Sequence, residues 1–356
     1  MHPLIRSYFA VLGAVAISIL LFLLFPQTGL APTQPAEDRL IIGSPVTHTQ
    51  LKESPSPAAT PVSEAVRIVN PYPFSPQTTD DLTNTAQASL VNIFCVSNNP
   101  AFRSSSGSGV LIDPRGVILT NAHVAQYVLL SSLPDLGIVC TIRTGSPAIA
   151  RWEAQVLYIP PIWVRGHAHE INSFKPASSG EHDYALLLIT KSIDDTPPTP
   201  FPYLPIDTRE AIAFPEDEVA TASYPVEFVG GINAPFNLRP ASSVSTVSKL
   251  YTFTSKTADI LSLGEVPLAQ SGSSGGLVIN TWGFLVGLLT AMSDETAASG
   301  RDLRALSLSY IDRDLKVQAG SSLSQILASD MTANMLDFNT STAPALLALY
   351  TNMVGL

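Results

Sequence analysis

The chain is short of charge and of sulfur. Asp, Glu, Lys and Arg together make up 13% of its 356 residues, and no basic run occurs anywhere. The 19 basic residues are outnumbered by 29 acidic ones, for a formal net charge of −10. Nucleic-acid binding calls for a basic stripe, so this balance argues against such a partner. No Gly-x-x-x-x-Gly-Lys loop is present to cradle phosphates, and no His-Glu-x-x-His helix to hold zinc. His167, His169 and Glu170, with His182 nearby, are metal-ligand types at plausible spacing. They lie in a loop-like stretch and read as surface polar groups, so no metal and no other cofactor is expected. The only two cysteines, Cys95 and Cys140, each fall in a short apolar strand-like segment. In an exported chain such a pair can form a structural disulfide. Otherwise both thiols serve as small buried hydrophobes.

Against this sparse background, one long apolar run stands out. Residues 8–25 (YFAVLGAVAISILLFLLF) carry no charge and would span about 27 Å as a helix, enough to cross a bilayer core. Gly29-Leu30-Ala31 offers a poor signal-cleavage site because Pro32 follows it. With Arg6 before the run and acidic residues after it, an uncleaved signal anchor is expected. Residues 1–7 would then be cytoplasmic and the rest outside; cleavage and secretion are the alternative. Residues 26–85 are rich in Pro, Ser and Thr and read as a tether with a mean reach of roughly 40–45 Å. Residues 86–319 hold short strands separated by turn signals. Residues 320–356 read as two amphipathic helices packed on the second half of that domain, or serving a partner.

Three segments carry chemistry. Gly272-Ser273-Ser274-Gly275-Gly276 sets serine among glycines, whose backbone can take positive φ and approach a substrate carbonyl closely. The amides of Gly272 and Ser274 could then face a developing oxyanion. Upstream, SGSGVLID (106–113) and GVILT (116–120) read as a hairpin through the turn Asp113-Pro114-Arg115-Gly116. His123 follows directly, amid small residues, at the end of a rigid element. In HDYALLLI (182–189), Asp183 opens an otherwise apolar strand. A buried carboxylate without a partner is costly, so Asp183 is expected to have one, and that partner could be a histidine. The blander readings are a satisfied core histidine, a strand-start cap, and a His182 that is merely a neighbour.

With SGSGVLIDPRGVILTNAHV, HDYALLLI and GSSGGLVIN in the order His, Asp, Ser, the chain resembles the chymotrypsin-like serine proteases, nearest their HtrA-like branch. The resemblance runs over about residues 86 to 310. It implies an all-β domain of two antiparallel six-stranded barrels, flanked here by the N-terminal transmembrane helix and the C-terminal helices. It further implies that Ser274 is the nucleophile, His123 the general base and Asp183 its orienting carboxylate, with Gly272 and Ser274 forming the oxyanion hole. Protein or peptide substrates would be held by Leu268, Ala269 and Ser271 together with Leu288, Leu289 and Thr290. None of these is acidic, so an apolar residue is expected before the scissile bond. Ser273 replaces the aspartate that zymogens of this family pair with a new N-terminus, so that activation is not expected. The tail is too short for the PDZ domain common in the branch. A catalytically inactive, protease-fold binding protein is the alternative function.

Overall fold

The computed structural model describes residues 67–68, 70–173, 179–193, 200–210, 212–226, 237–253, 257–265, 272–290 and 302–354. The apolar run at 8–25 and the Pro-rich stretch through residue 66 lie outside them. Among the described residues no helix is long and apolar enough to cross a membrane.

The end of the Pro-rich stretch packs onto the domain. Tyr72 stacks on Phe284 at 4.3 Å and lies 5.4 Å from Trp282, while Gln77 N–H donates to the carbonyl of Thr281 at 2.8 Å. Helix α1 (Thr79–Ser89) follows. Thr78 Oγ1 accepts from Asp81 N–H at its start, and Asp80 and Asp81 in the first turn suit the helix dipole. Its buried face carries Leu82 and Ala86.

Six strands form a closed barrel: β1 (Leu90–Ser97), β2 (Ser105–Asp113), β3 (Val117–Thr120), β4 (Ile138–Thr144), β5 (Ile149–Tyr158) and β6 (Ala185–Ser192), in the order β1-β2-β3-β6-β5-β4. The expected hairpin is β2–β3. Asp113 Oδ1 accepts Arg115 N–H at 2.8 Å, and Gly116 supplies the positive φ (91°) that closes the turn. Cys95 stands opposite Cys140 across β1 and β4, and the two are disulfide-bonded. Between β3 and β4 runs helix α2 (Ala122–Leu130), and after β5 comes α3 (Pro161–His167), with Pro161 in its first turn.

The second half differs from the expected six-stranded barrel. It is a seven-stranded sheet built from β7 (Glu218–Ser223), β8 (Ala241–Thr246), β9 (Lys249–Tyr251), β10 (Ile260–Glu265), β11 (Leu277–Asn280), β12 (Leu285–Thr290) and β13 (Asp302–Ser307). The order is β8-β7-β11-β12-β13-β10-β9. Strands β8 and β9 follow one another with only Val247 and Ser248 between them. The chain breaks there because Val247 N–H bonds Asp217 and Ser248 N–H bonds Ser262, turning β9 onto a different neighbour. Strands β10 and β13 escape sequence reading because polar residues sit inside them. Ser262 Oγ donates to Asp302 Oδ1 (2.7 Å) and Arg304 Nε to Asp302 Oδ2 (2.9 Å), so burial there is satisfied by pairing.

One apolar core cluster joins the two sheets, uniting Leu90, Val110, Leu119 and Leu186 with Leu277, Leu288 and Leu306. Helix α4 (Leu308–Ala319) follows β13, and residues 320–356 form α5 (Leu323–Ala328), α6 (Met331–Asp337), a π-turn (Phe338–Thr342) and α7 (Ala343–Val354), where the sequence predicts two helices. Ser307 caps α4, Gly320 ends it at φ 73°, and Ser322 with Gln325 forms a capping box at α5. The sequence reading placed the tail helices on the second half. The structure corrects this for α7: Ala343, Leu346, Leu347 and Tyr350 bury themselves with Leu129, Leu130 and Trp163 of the first barrel. Helical apolar spacing shows that a helix has a buried face; it carries no information about which surface covers it.

Candidate active site

Strand β3 delivers the chain directly into α2, so His123, just past the strand as expected, stands in the first helical turn. The helix start is capped from elsewhere. Asp183 Oδ1 accepts the backbone N–H of His123 at 3.0 Å, which sets a carboxylate at the positive end of the helix. Asp183 Oδ2 lies 2.8 Å from His123 Nδ1. An ionised carboxylate only accepts, so Nδ1 carries the proton of the neutral ring and Nε2 keeps its lone pair. Asn121, fully buried, donates from Nδ2 to the carbonyl of Asp183 at 2.8 Å, and Thr290 Oγ1 reaches Asp183 Oδ2 at 3.4 Å.

Asp183 is 1% exposed, whereas the His123 side chain retains 29% of its surface, so its desolvation is partial. Burial pulls the His123 pKa down, but the Asp183 charge and hydrogen bond outweigh it and the value stands above the ordinary 6.5. Burial pushes Asp183 up. The His123 charge and hydrogen bonds again prevail and hold the carboxyl below the ordinary 3.8.

The Ser274 turn belongs to the second sheet but is pinned to the first barrel. Ser108 of β2 donates its N–H to the carbonyl of Ser274 (2.7 Å) and its Oγ to the carbonyl of Gly272 (2.8 Å). Thr120, three residues before His123, donates Oγ1 to the carbonyl of Ser108 at 2.7 Å. From the other side, Gly275 N–H bonds Leu289 on β12, and Leu289 N–H bonds Gly276. Gly272 and Gly275 take φ of 88° and 81°, the left-handed values the motif anticipated. At Gly275 the demand is also steric, since a Cβ would sit 2.0 Å from the Ser108 carbonyl oxygen. Gly275→Ala is therefore expected to cost about 2–3 kcal/mol of stability, measured by chemical denaturation, because strain and clash coincide.

The two adjacent serines differ in environment. Ser273 is 3% exposed and its Oγ accepts from Ser223 Oγ at 3.2 Å. Ser274 is 7% exposed, and among the described residues its Oγ makes no hydrogen bond to the His123 ring. Among those residues neither the Gly272 N–H nor the Ser274 N–H donates to a backbone acceptor.

Of the residues expected to line a substrate pocket, Leu268, Ala269 and Ser271 lie outside the described residues. Leu288 and Leu289 are fully buried, in separate core clusters, and Thr290 turns its hydroxyl to Asp183. Leu288 and Leu289 thus pack in the core, and Thr290 contacts the acid. They alternate along a strand buried on both faces. The HAHE stretch divides among local partners: the His167 ring stacks on Trp163 at 4.8 Å, and His169 approaches Glu170 at 3.8 Å. Among the described residues no group of three His, Cys, Asp or Glu side chains could hold a metal ion.

Sequence reasoning missed four features: the roles of Ser108 and Asn121, the contact of Thr290 (named only for the substrate pocket) with Asp183, and the surroundings of His182. Ser108 lies in the quoted SGSG motif, and Asn121 sits two residues before the histidine. Thr290 and the partners of His182 are far away in sequence and left no local signal.

A profile of the trypsin-like peptidase domain matches residues 107–288, just over half of the chain. No match emerges among curated proteins. Similar solved structures include the serine endoprotease from Yersinia pestis, at 19% identity over 70% of this chain and 70% of that one, with a TM-score of 0.42. The HtrA-type protease AlgW with tripeptide is 16% identical over 69% of this chain and 65% of its own, also with a TM-score of 0.42. The span of the domain profile, which runs from the Ser108 strand through the Ser274 turn, shows that the chain belongs to the trypsin-like peptidase family.

Proposed function

We propose that this protein is a serine endopeptidase in which Ser274 is the nucleophile, His123 the general base and then acid, and Asp183 the orienting carboxylate. The observation that carries this reading is the double clamp of His123 by Asp183, through ring Nδ1 at 2.8 Å and backbone N–H at 3.0 Å. That clamp aims Nε2 away from the acid while Ser108 and Thr120 tie the Ser274 turn to the same barrel. A direct Ser274–His123 bond in the free protein is not required, because catalytic hydrogen bonds commonly tighten only when substrate fills the site.

In the reaction, Ser274 Oγ attacks the scissile carbonyl as His123 Nε2 takes its proton, and the Asp183 charge stabilises the imidazolium. The carbonyl oxygen becomes an oxyanion facing the amides of Gly272 and Ser274. His123 then protonates the leaving amine, leaving an acyl-enzyme. Water, deprotonated by the same imidazole, releases the acid and regenerates Ser274. The apolar run at 8–25 supports tethering to a membrane with the peptidase outside the cytoplasm. The absence of acidic residues among the expected pocket positions favours apolar side chains before the cleaved bond.

A fluorophosphonate probe tests the central step. The native chain is expected to label rapidly and Ser274→Ala not at all. Equal labelling of both, or labelling of neither, would overturn the proposal.

A further inference from the structure

We propose that the C-terminal helices are an intramolecular brace for the His123–Asp183 pair, with Asp314 and Tyr350 as its positioning residues. The proposal rests on the serine-peptidase reading for its consequence, but its geometry stands independently.

The grip on the acid comes from α4. Asp314, 8% exposed, uses a single oxygen, Oδ2, to hold the residues on both sides of Asp183. His182 Nδ1 lies 2.8 Å from it, and Tyr184 OH donates to it at 2.9 Å. Tyr310, also on α4, accepts the backbone N–H of His182 through its hydroxyl at 2.9 Å. His182 needs this support because its φ is 60°, a left-handed conformation that a side-chain-bearing residue adopts only when its surroundings impose it. The charged and titratable groups around His182 are Asp314 and Tyr310 from α4, Glu181 (3.8 Å from Nε2), and Asp183 and Tyr184 beside it in the chain. Burial lowers the His182 pKa, but the Asp314 hydrogen bond and charge outweigh it, so the ring stands above 6.5 and favours the ion pair.

The grip on the base comes from α7. Tyr350, fully buried, donates its hydroxyl to Gln126 Oε1 at 3.1 Å. Gln126 Nε2 donates in turn to the carbonyl of His123 at 2.9 Å. Each member of the pair is therefore one residue removed from the tail. A base and an acid that must meet within hydrogen-bond distance lose rate steeply with small displacements. Two helices that hold both members from outside the barrel suppress such displacements.

The test uses the full-length chain. Asp314→Asn is expected to lower kcat about tenfold with KM changed less than twofold. In a Ser274→Ala background, the His123 ring titration followed by NMR is expected to fall toward 6.5, as the carboxylate is held less firmly against it. Tyr350→Phe, which deletes a single oxygen, is expected to lower kcat about threefold. His182→Asn keeps a residue that tolerates positive φ and serves if Asp314→Asn does not fold; it is expected to act like Asp314→Asn. Folded variants with native kcat and an unmoved His123 midpoint would overturn the brace. The NMR arm needs no activity. If the native chain fails to label with fluorophosphonate, the catalytic reading falls, and the brace is still judged by the midpoint.

Discussion

Ser274→Ala and His123→Ala are each expected to lower kcat for peptide hydrolysis by on the order of 10⁶-fold, and the double variant to be no slower than either. Losses of this size reflect groups acting as one unit. Without the alcohol, Nε2 has no proton to take; without the imidazole, the alcohol remains protonated and weakly nucleophilic. What is expected to persist in all three is substrate binding and the proposed oxyanion contacts from the amides of residues 272 and 274. His123→Ala also removes the ring partner of Asp183, a carboxylate 1% exposed. Its remaining bonds, to the backbone N–H of residue 123 and to Thr290, should limit the stability loss to about 1–3 kcal/mol. Steady-state kinetics and denaturant titration of the three variants check this. Losses that multiply in the double variant would show that the two residues act separately.

Asp183→Asn is expected to lower kcat by about 10⁴-fold at neutral pH. The amide can still accept the backbone N–H of His123 through its oxygen, which then leaves an N–H₂ facing ring Nδ1. The imidazole must turn to the tautomer protonated on Nε2, where it can no longer accept the serine proton. The pH dependence of the native enzyme follows from the same pair. Catalysis needs neutral His123, whose pKa is raised, so kcat/KM should climb with pH through a midpoint above 6.5. Stability runs the other way for the histidine. Its contribution is complete below 6.5 and disappears as pH rises through the raised folded value. Asp183, with its lowered pKa, contributes above 3.8 and loses that contribution as pH falls through its folded value. Asp183→Asn should therefore destabilise the protein most between about pH 4 and 6.5 and less at pH 9. A pH-independent cost, or a native acid limb below 6.5, would contradict the pairing.

Much of the candidate site is legible in sequence because its demands are local. The glycines around Ser274 announce positive φ, and the turn from Asp113 to Gly116 announces the hairpin that presents His123. The acid at the head of an apolar strand announces a buried charge in need of a partner. What stays hidden depends on distant neighbours. Ser262, Asp302 and Arg304 break the apolar alternation that marks a strand, and only their mutual bonds make β10 and β13 acceptable in a buried sheet. His182, which the sequence presents merely as a neighbour of the acid, proves to be held by a carboxylate 132 residues away.

By itself, then, the sequence determined the chemistry on offer: an alcohol among glycines, an imidazole after a hairpin and a carboxylate opening a strand. Backbone conformation and turn type are set by neighbouring residues, so those features can be read along the chain. Only the tertiary structure decided that the second sheet has seven strands and that Ser273 is bonded to Ser223 beside the Ser274 turn. It also decided that the tail crosses back to grip the first barrel. These outcomes depend on which buried polar groups find partners across hundreds of residues, and that pairing exists only once the chain is packed.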